Sequence, residues 1–233
     1  MKSYIELKKV KKTYNIGEQK YNALDGVDLN IEKGEFVVIL GPSGAGKSTL
    51  LNLLGGLDKP TSGSIVIDDN DIAKYSDKEL TKYRANEVGF IFQFYNIMPT
   101  LTVDENINLI KDVTTTSKNS KEVLKSVGLG RHANKFPSEL SGGEQQRVSI
   151  ARAIMKEPKI LLCDEPTGAL DSNTGKEVLK LLKEQCENGT TVIIVTHNSL
   201  IAEIADKVIH IKNGLIDKVE TNNNPKDIEE VKW

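Results

Sequence analysis

A glycine-rich segment, residues 41–49, carries the clearest chemistry in the sequence. It matches the pattern G-x-x-x-x-G-K-[ST] and stands between an apolar run, Phe36–Leu40, and a helix-like run at residues 49–54. Glycines let backbone N–H groups converge on phosphates, and a helix start adds partial positive charge. This phosphate loop therefore predicts that a nucleoside triphosphate is bound by Gly41, Pro42, Ser43, Gly44, Ala45, Gly46, Lys47, Ser48 and Thr49.

Two adjacent carboxylates provide the second half of such a site. The apolar run at residues 159–163 ends in Asp164 and Glu165, at the carboxyl end of a predicted parallel strand, where ligands bind in open α/β sheets. We expect Lys47 to reach the β- and γ-phosphates and Ser48 to offer its hydroxyl to Mg²⁺. Asp164 would then hold the Mg²⁺ shell, and Glu165 would act on the attacking water.

A second run of small residues opens another predicted helix. The sequence Leu-Ser-Gly-Gly-Glu-Gln-Gln-Arg occupies residues 140–147 and leads into a helix-like run at residues 146–155. A helix N-terminus of this kind also attracts anions. One nucleotide cannot use two such cradles far apart in one chain, so we expect Ser141 and Gly143 to face a γ-phosphate held by Lys47 of a second molecule.

These motifs resemble those of the ATP-binding subunits of ABC transporters, and residues 140–147 resemble the signature motif of that family. The resemblance extends over roughly residues 3–219 and is strongest to the LolD, MacB and FtsE type. It implies that the ligand is ATP and that its adenine ring stacks on Tyr14. It also implies that Gln93 contacts Mg²⁺ and the attacking water, and that His197 contacts the γ-phosphate. It further implies ATP contacts from Ser141, Gly142, Gly143 and Glu144, and communication across a dimer by Ala169, Leu170 and Asp171.

The same resemblance implies the catalytic set and the partners. Catalysis would depend on Glu165, His197, Gln93 and Lys47, and Mg²⁺ would be bound through Ser48, Gln93 and Asp164. The partners would be a second ATPase, identical or homologous, in the ATP-bound state and an integral membrane permease of the FtsX or MacB type. Transport would then be export or extraction of a peptide, lipoprotein or antimicrobial.

Other functions remain open at this stage. The same ATPase could drive a permease that moves no substrate but activates cell-wall hydrolases or senses antibiotic. ABC ATPases of DNA repair or translation are a third class, although they carry long coiled coils or two tandem cassettes. A small-molecule kinase also begins from a phosphate loop, but it would lack the motif at residues 140–147.

The hydrophobic pattern predicts the elements that position these residues. Alternating apolar residues at 4–10 and 27–31 indicate half-buried antiparallel strands, whereas continuous apolar runs at 36–40, 160–163 and 192–195 indicate buried parallel strands. Two helix starts carry the capping-box spacing, Ser76 with Glu79 and Thr102 with Glu105. No strand-like run occurs between residues 102 and 137, which predicts an all-helical insertion.

The predicted fold class is therefore α/β: a P-loop NTPase core with a mostly parallel central sheet, an N-terminal antiparallel β layer and an inserted all-helical subdomain. We place the core and β layer at residues 1–92 and 157–220, the helical subdomain with the signature motif at 93–156, and a polar C-terminal tail at 221–233. The run of asparagines at residues 222–224, followed by proline, is expected to break regular structure.

Composition limits the functional classes further. The 233 residues carry a formal net charge of −2 and a pI of about 6.0, so no basic excess favours nucleic acid as a partner. The apolar runs are shorter than the roughly 20 residues that cross a bilayer, and the N-terminus lacks the pattern of a secretory leader. We therefore expect a cytoplasmic protein that is held at the inner face of the cell membrane by its permease.

Overall fold

A computed structural model describes residues 3–17, 19–114 and 116–231, and it arranges them as two β-sheets and a group of helices. The strands are β1 (Ile5–Ile16), β2 (Gln19–Ile31), β3 (Phe36–Leu40), β4 (Ser62–Ile67), β5 (Asn70–Asp71), β6 (Val88–Ile91), β7 (Ile160–Asp164), β8 (Thr191–Thr196), β9 (Lys207–Lys212) and β10 (Leu215–Thr221). The helices are α1 (Lys47–Leu54), α2 (Asp77–Asn86), α3 (Val103–Asn108), α4 (Ser120–Ser126), α5 (Gly142–Ile154) and α6 (Ser172–Glu187). The outer limits of the predicted domains, residues 1 and 233, lie outside the described residues.

The first sheet is antiparallel, with strand order β2-β1-β4-β5. Its strands β1 and β2 pair from Ile5 opposite Ile31 to Ile16 opposite Gln19, so they form one long hairpin. Both strands continue well beyond the predicted segments at residues 4–10 and 27–31. The extension contains mostly polar residues that are exposed or half-buried, apart from the buried Ala23 and Leu24, which is why the hydrophobic pattern did not reveal it.

The second sheet has the order β10-β9-β3-β8-β7-β6 and is parallel except for the edge strand β10. All five residues of β3 and all six of β8 are buried, as their continuous apolar character predicted. Successive residues of β3 contribute to two different hydrophobic clusters: Phe36, Val38 and Leu40 face the helical side, and Val37 and Ile39 face the antiparallel sheet. The predicted α/β fold class is confirmed.

The described residues between 102 and 137 form helices and turns without a strand, as predicted for the insertion. Both predicted capping boxes are present, at Ser76 with Glu79 and at Thr102 with Glu105. A third one, Ser141 with Glu144, starts α5 four residues before the helix-like run at residue 146. In each box a hydroxyl and a carboxylate satisfy backbone N–H groups that the helix start leaves free.

The C-terminal segment differs in one respect from the predicted polar tail. Residues 222–227 have no regular structure, but Ile228 and Val231 are only 6% and 1% exposed and join the hydrophobic cluster beside α6. Burial of two branched apolar side chains contributes about 1.5–3 kcal/mol each, which holds the segment against the core. Residues 232 and 233 lie outside the described residues.

No helix in the part of the chain that the structure describes combines the length and the hydrophobicity needed to cross a membrane.

Candidate ATP-binding site

The phosphate loop connects the end of β3 to the first turn of α1. Gly44 and Gly46 have φ angles of 76° and 104°, in the left-handed region that favours glycine. A Cβ atom on Gly46 would also lie 2.4 Å from the carbonyl oxygen of Ala23. The ammonium of Lys47 donates to the carbonyl oxygens of Gly41 at 2.7 Å and Pro42 at 3.0 Å. The Lys47 side chain therefore folds back against the backbone of the phosphate loop.

A cavity of about 880 Å³ opens over this loop. Its lining includes eleven of the residues predicted from the sequence, which are Tyr14, Ser43, Gly44, Gly46, Lys47, Ser48, Thr49, Gln93, Asp164, Glu165 and His197. It also includes five residues that the sequence reasoning missed, which are Tyr21, Ala23, Phe92, Phe94 and Asn96. The structure therefore brings the predicted metal and catalytic residues and most of the phosphate loop of one chain to one opening, whereas Gly41, Pro42 and Ala45 of the loop are absent from its lining as the structure describes it.

Asp164 ends β7 beside the start of α1. Burial raises the pKa of the Asp164 carboxyl, and the nearby Glu165 adds to that rise, whereas a hydrogen bond with Ser48 and the charge of Lys47 act in the opposite direction. A hydroxyl and a carboxylate next to a phosphate loop are the oxygen ligands that Mg²⁺ uses together with substrate phosphates. Among the described residues, no group of three His, Cys, Asp or Glu side chains forms a metal cage. The donor set therefore fits a Mg²⁺ ion that is bound jointly with phosphates.

Glu165 points away from Asp164 toward the end of β8. Its φ angle of 47° is unusual for a residue other than glycine. The Thr196 hydroxyl donates to Oε2 at 2.8 Å, and the His197 backbone N–H donates to Oε1 at 3.0 Å. The Nδ1 atom of His197 lies 2.7 Å from the same Oε1. The predicted base and the predicted γ-phosphate sensor are therefore in direct contact.

Gln93 follows β6 and lies against the segment after Glu165, since a Cβ on Gly168 would be 3.1 Å from its Nε2. A second glutamine connects this region to α5. The fully buried Gln146 donates from Nε2 to the carbonyl oxygens of Phe92 at 3.4 Å and Pro166 at 2.9 Å. This role was not recognisable from the sequence, because Phe92, Gln146 and Pro166 are far apart along the chain.

The signature segment (residues 140–147) starts α5 outside this cavity. Ser141, Gly142, Gly143 and Glu144 are all absent from the cavity lining in the described structure. Glu144 Oε2 accepts from the Ser141 N–H at 2.8 Å and from its hydroxyl at 3.0 Å, while Oε1 lies 3.1 Å from His132 Nε2. The two helix starts that are predicted to bind phosphate are thus separate within one chain, and the ATP contacts of these residues stay a prediction.

Ala169, Leu170 and Asp171 lie beside the signature segment. Asp171 caps α6 by accepting from the backbone N–H groups of Asn173 and Thr174, both at 3.1 Å. Leu170 is close to α5, since its Cδ2 would be 3.8 Å from a Cβ on Gly142. Communication across a dimer by these residues stays a prediction, but their position next to the second helix start is the one that this role requires.

Two tyrosines border the cavity on the antiparallel sheet, where Tyr14 of β1 pairs with Tyr21 of β2. The Tyr14 hydroxyl donates to Asp58 Oδ2 at 2.8 Å, and the Tyr21 hydroxyl donates to the Gly44 carbonyl at 3.0 Å. The predicted aromatic contact for adenine is therefore at the cavity, with a second aromatic next to it.

A phosphate loop after β3, carboxylates at the end of β7 in the same parallel sheet and a separate helical insertion define a P-loop ATPase with an added subdomain. A family model described as ABC transporter matches residues 24–168. The chain belongs to this family.

Three relatives specify the resemblance. The chain is 46% identical over 226 residues to the ABC transporter ATP-binding protein MJ0796 of Methanocaldococcus jannaschii, covering 93% of this chain and 96% of that protein. The chain is also 46% identical to the ATP-binding protein MG065 homolog of Mycoplasma pneumoniae, and that match covers 98% of this chain but 50% of the relative. It is also 46% identical to the macrolide export ATP-binding/permease protein MacB of Campylobacter fetus, covering 91% of this chain and 34% of MacB.

Solved structures agree with this assignment. The dimeric post-hydrolysis structure of the MJ0796 cassette bound to ADP and phosphate superposes with a TM-score of 0.86 at 45% identity, covering 93% of this chain and 98% of that one. The chain spans half the length of the Mycoplasma relative and about a third of MacB. The comparisons support the predicted likeness to the MacB type, and the chain is an ABC transporter ATP-binding domain.

Proposed function

We propose that two copies of this chain, or one copy and a homologous ATPase, bind two ATP molecules with Mg²⁺ and hydrolyse them to ADP and phosphate. The observation that carries the proposal is the division of the site. Lys47, Asp164 and Glu165 border one cavity, whereas the signature segment, which offers a second anion-binding helix start, lies outside it. A head-to-tail dimer is the arrangement that brings both to one γ-phosphate.

The predicted catalytic and metal-binding residues at the cavity have different chemical tasks in this mechanism. Lys47 and the amides of the phosphate loop stabilise negative charge on the transferring phosphoryl group. Glu165 accepts the proton of the attacking water, a role that is worth about 10²- to 10⁴-fold in rate, and Thr196 and His197 orient its two oxygens. Ser48, Asp164 and Gln93 would hold Mg²⁺, which would neutralise charge on the phosphates.

The variant Glu165→Gln tests this assignment. It keeps the shape of the side chain but removes the base, so we expect ATP hydrolysis to fall by about 10²- to 10⁴-fold while ATP still closes the dimer. Size-exclusion chromatography with ATP and Mg²⁺ should then detect a stable dimer of the variant. The matched control is Glu122→Gln, an exposed position on α4, which should hydrolyse ATP like the parent chain. A Glu165→Gln protein that stays monomeric and hydrolyses ATP at the parent rate would refute the assignment.

The partner that this ATPase drives is proposed to be a membrane permease of the FtsX or MacB type, which would hold the chain at the inner face of the membrane. Two observations support it. MacB is named as an ATP-binding/permease protein, and three large apolar side chains, Phe94, Met98 and Val113, are 77%, 49% and 62% exposed in the helical subdomain. The work would be export or extraction of a peptide, lipoprotein or antimicrobial, or alternatively mechanical or sensory signalling through a permease that moves no substrate.

The variant Met98→Glu tests the docking. A charge at this exposed position should abolish co-purification of the membrane subunit and its stimulation of hydrolysis, while basal ATPase activity of the isolated chain stays unchanged. Leu215→Glu is the matched control, because Leu215 is 48% exposed on the distant edge strand β10. Retained co-purification by Met98→Glu would contradict docking at this surface. The sequence of the co-purified subunit would distinguish export from signalling.

A further inference from the structure

Asp58 lies at the centre of a polar cluster behind the predicted base-binding tyrosine. Its Oδ2 accepts from the Tyr14 hydroxyl at 2.8 Å. Its Oδ1 accepts from the Lys12 ammonium at 2.5 Å and from the Lys59 backbone N–H at 2.7 Å. The side chains of Lys12 and Asp58 are 12% and 31% exposed, so the cluster is partly screened from water.

The ionisation of the cluster fixes the direction of its hydrogen bonds. Burial opposes ionisation of Asp58, but the hydrogen bonds from Lys12 and Tyr14 outweigh it and leave its pKa below the ordinary value. Burial and the hydrogen bond with Asp58 raise the pKa of Tyr14. Asp58 is therefore a carboxylate that can only accept, and the Tyr14 hydroxyl is the donor. Such charge-assisted hydrogen bonds are stronger and better oriented than neutral ones.

Lys12 acts on the same ring in a second way. Its Nζ lies over the Tyr14 ring, 4.9 Å from the centroid, and also donates to the Lys59 carbonyl at 2.8 Å. A cation at this distance is attracted by the ring and restricts its position. Because the ammonium covers one face of the ring, a base that stacks on Tyr14 is left with the opposite face.

The backbone around Asp58 connects this cluster to the phosphate loop. The N–H groups of Leu57 and Asp58 donate to the carbonyl of Asn52 in α1, at 2.9 and 3.3 Å. Helix α1 begins at Lys47, in the phosphate loop. One short helix therefore sets the position of the lysine at one end and of the carboxylate that holds Tyr14 at the other.

We propose that Asp58 is a positioning residue for nucleotide binding, which fixes the Tyr14 ring, together with Lys12, at a set distance from the phosphate loop so that adenine can stack on it. The inference rests on the proposed function, since Tyr14 meets a base only if the chain binds ATP. The proposal implies that loss of Asp58 weakens binding of the base but not binding of the phosphates. A carboxylate that merely fastens β1 to the segment after α1 would affect both parts equally.

Binding of two ligands distinguishes these possibilities: ADP with Mg²⁺, which carries a base, and inorganic tripolyphosphate with Mg²⁺, which does not. Dissociation constants are measured by calorimetry for the parent chain and for Asp58→Ala, Tyr14→Phe and the double variant. A base–aromatic stack is worth about 5- to 150-fold in binding. We therefore expect Asp58→Ala to raise the Kd for ADP by about tenfold, and Tyr14→Phe to raise it by a smaller factor.

For both single variants, the Kd for tripolyphosphate should stay within about twofold of the parent value, and the double variant should bind ADP no more weakly than Asp58→Ala alone. The control is Asp77→Ala, which removes an exposed carboxylate paired with Lys59 at 2.9 Å and should leave both constants unchanged.

An equal loss of ADP and tripolyphosphate binding in Asp58→Ala would overturn the proposal, because it would mean that the phosphate loop itself has moved. Fully multiplicative effects of Asp58→Ala and Tyr14→Phe would also overturn it, since they would show that the two residues act independently. If Asp58→Ala does not fold, Tyr14→Phe decides alone: unchanged ADP binding by this variant refutes the anchoring. A parent chain that binds neither ligand would instead refute the proposed function.

Discussion

Gly143 in the signature segment has no room for a side chain. A Cβ at this position would lie 2.0 Å from the Cγ2 of Thr174, and the next atoms, the Cβ and the hydroxyl oxygen of Thr174, would be 3.4 and 3.6 Å away. The obstacle is thus a single methyl group in the first turn of α6. Overpacking of this kind costs about 1–3 kcal/mol, whereas glycine to alanine in a helix gains up to about 1 kcal/mol. We expect Gly143→Ala to lower the free energy of unfolding by up to about 3 kcal/mol.

The variant Thr174→Ser should remove this cost. Serine lacks Cγ2 but keeps the hydroxyl, which donates to Asp171 Oδ2 at 2.7 Å. In the Thr174→Ser background, Gly143→Ala should therefore be neutral or stabilising by up to about 1 kcal/mol, the helix-propensity gain alone. Urea denaturation of the four proteins, followed by circular dichroism without nucleotide, measures the coupling in a double-mutant cycle.

The outcome bears directly on how α5 packs against α6. If Gly143→Ala costs the same with threonine and with serine at position 174, the methyl group is not the obstacle and the described contact is wrong. A stabilising effect of Gly143→Ala in the parent chain would refute the reasoning as well. Because nucleotide is absent from the assay, neither result depends on the proposed contact of Gly143 with a partner's ATP.

Two further predictions concern the half-buried Lys156 and the fully buried Asn106. Burial, with a smaller contribution from Arg152, lowers the pKa of Lys156 to about 8. Between that pH and the ordinary lysine pKa, the unfolded chain binds more protons than the folded chain. The free energy of unfolding should therefore rise with pH over this range, by at most about 3 kcal/mol. Urea denaturation from pH 7.5 to 10 should detect a rise that Lys156→Met lacks, and parallel curves would contradict it. Asn106, fully buried, makes four hydrogen bonds of 2.7–3.0 Å to the backbone of residues 98–102. Asn106→Ala should destabilise the chain by about 2–4 kcal/mol, and Asn86→Ala, at an exposed position, should have little effect; equal losses would refute the assignment.

Local signals account for the parts of the fold that the sequence predicted. The buried strands were recognisable because parallel strands covered on both faces are apolar at every position, as β3 and β8 are. Capping boxes were recognisable because both partners lie within four residues of each other. The phosphate loop combined both kinds of signal with a glycine requirement. In each case the information lies within about ten residues of chain.

The missed features depend on contacts between distant segments. Asp58 is separated from Tyr14 by 44 positions, and Gln146 from Phe92 by 54. The strand β9 contains a buried lysine, Lys207, which the hydrophobic pattern treats as a surface residue. Its ammonium lies 2.7 Å from the Glu35 carboxylate, and only the folded chain provides that partner. Both the strand β9 and the proposed role of Asp58 depend on charge pairs between distant segments, which the local sequence does not indicate.

The buried Gln146 has a consequence for a pair of such subunits. It ties the helix that begins with the signature segment to the backbone beside Gln93 and beside Glu165 in the same chain. In a head-to-tail dimer, that helix start would touch the nucleotide of the other subunit. Each subunit would then register the occupancy of its neighbour's site as a displacement at its own catalytic residues. The two active sites would therefore be coupled, and ATP hydrolysis at one site would depend on the state of the nucleotide at the other.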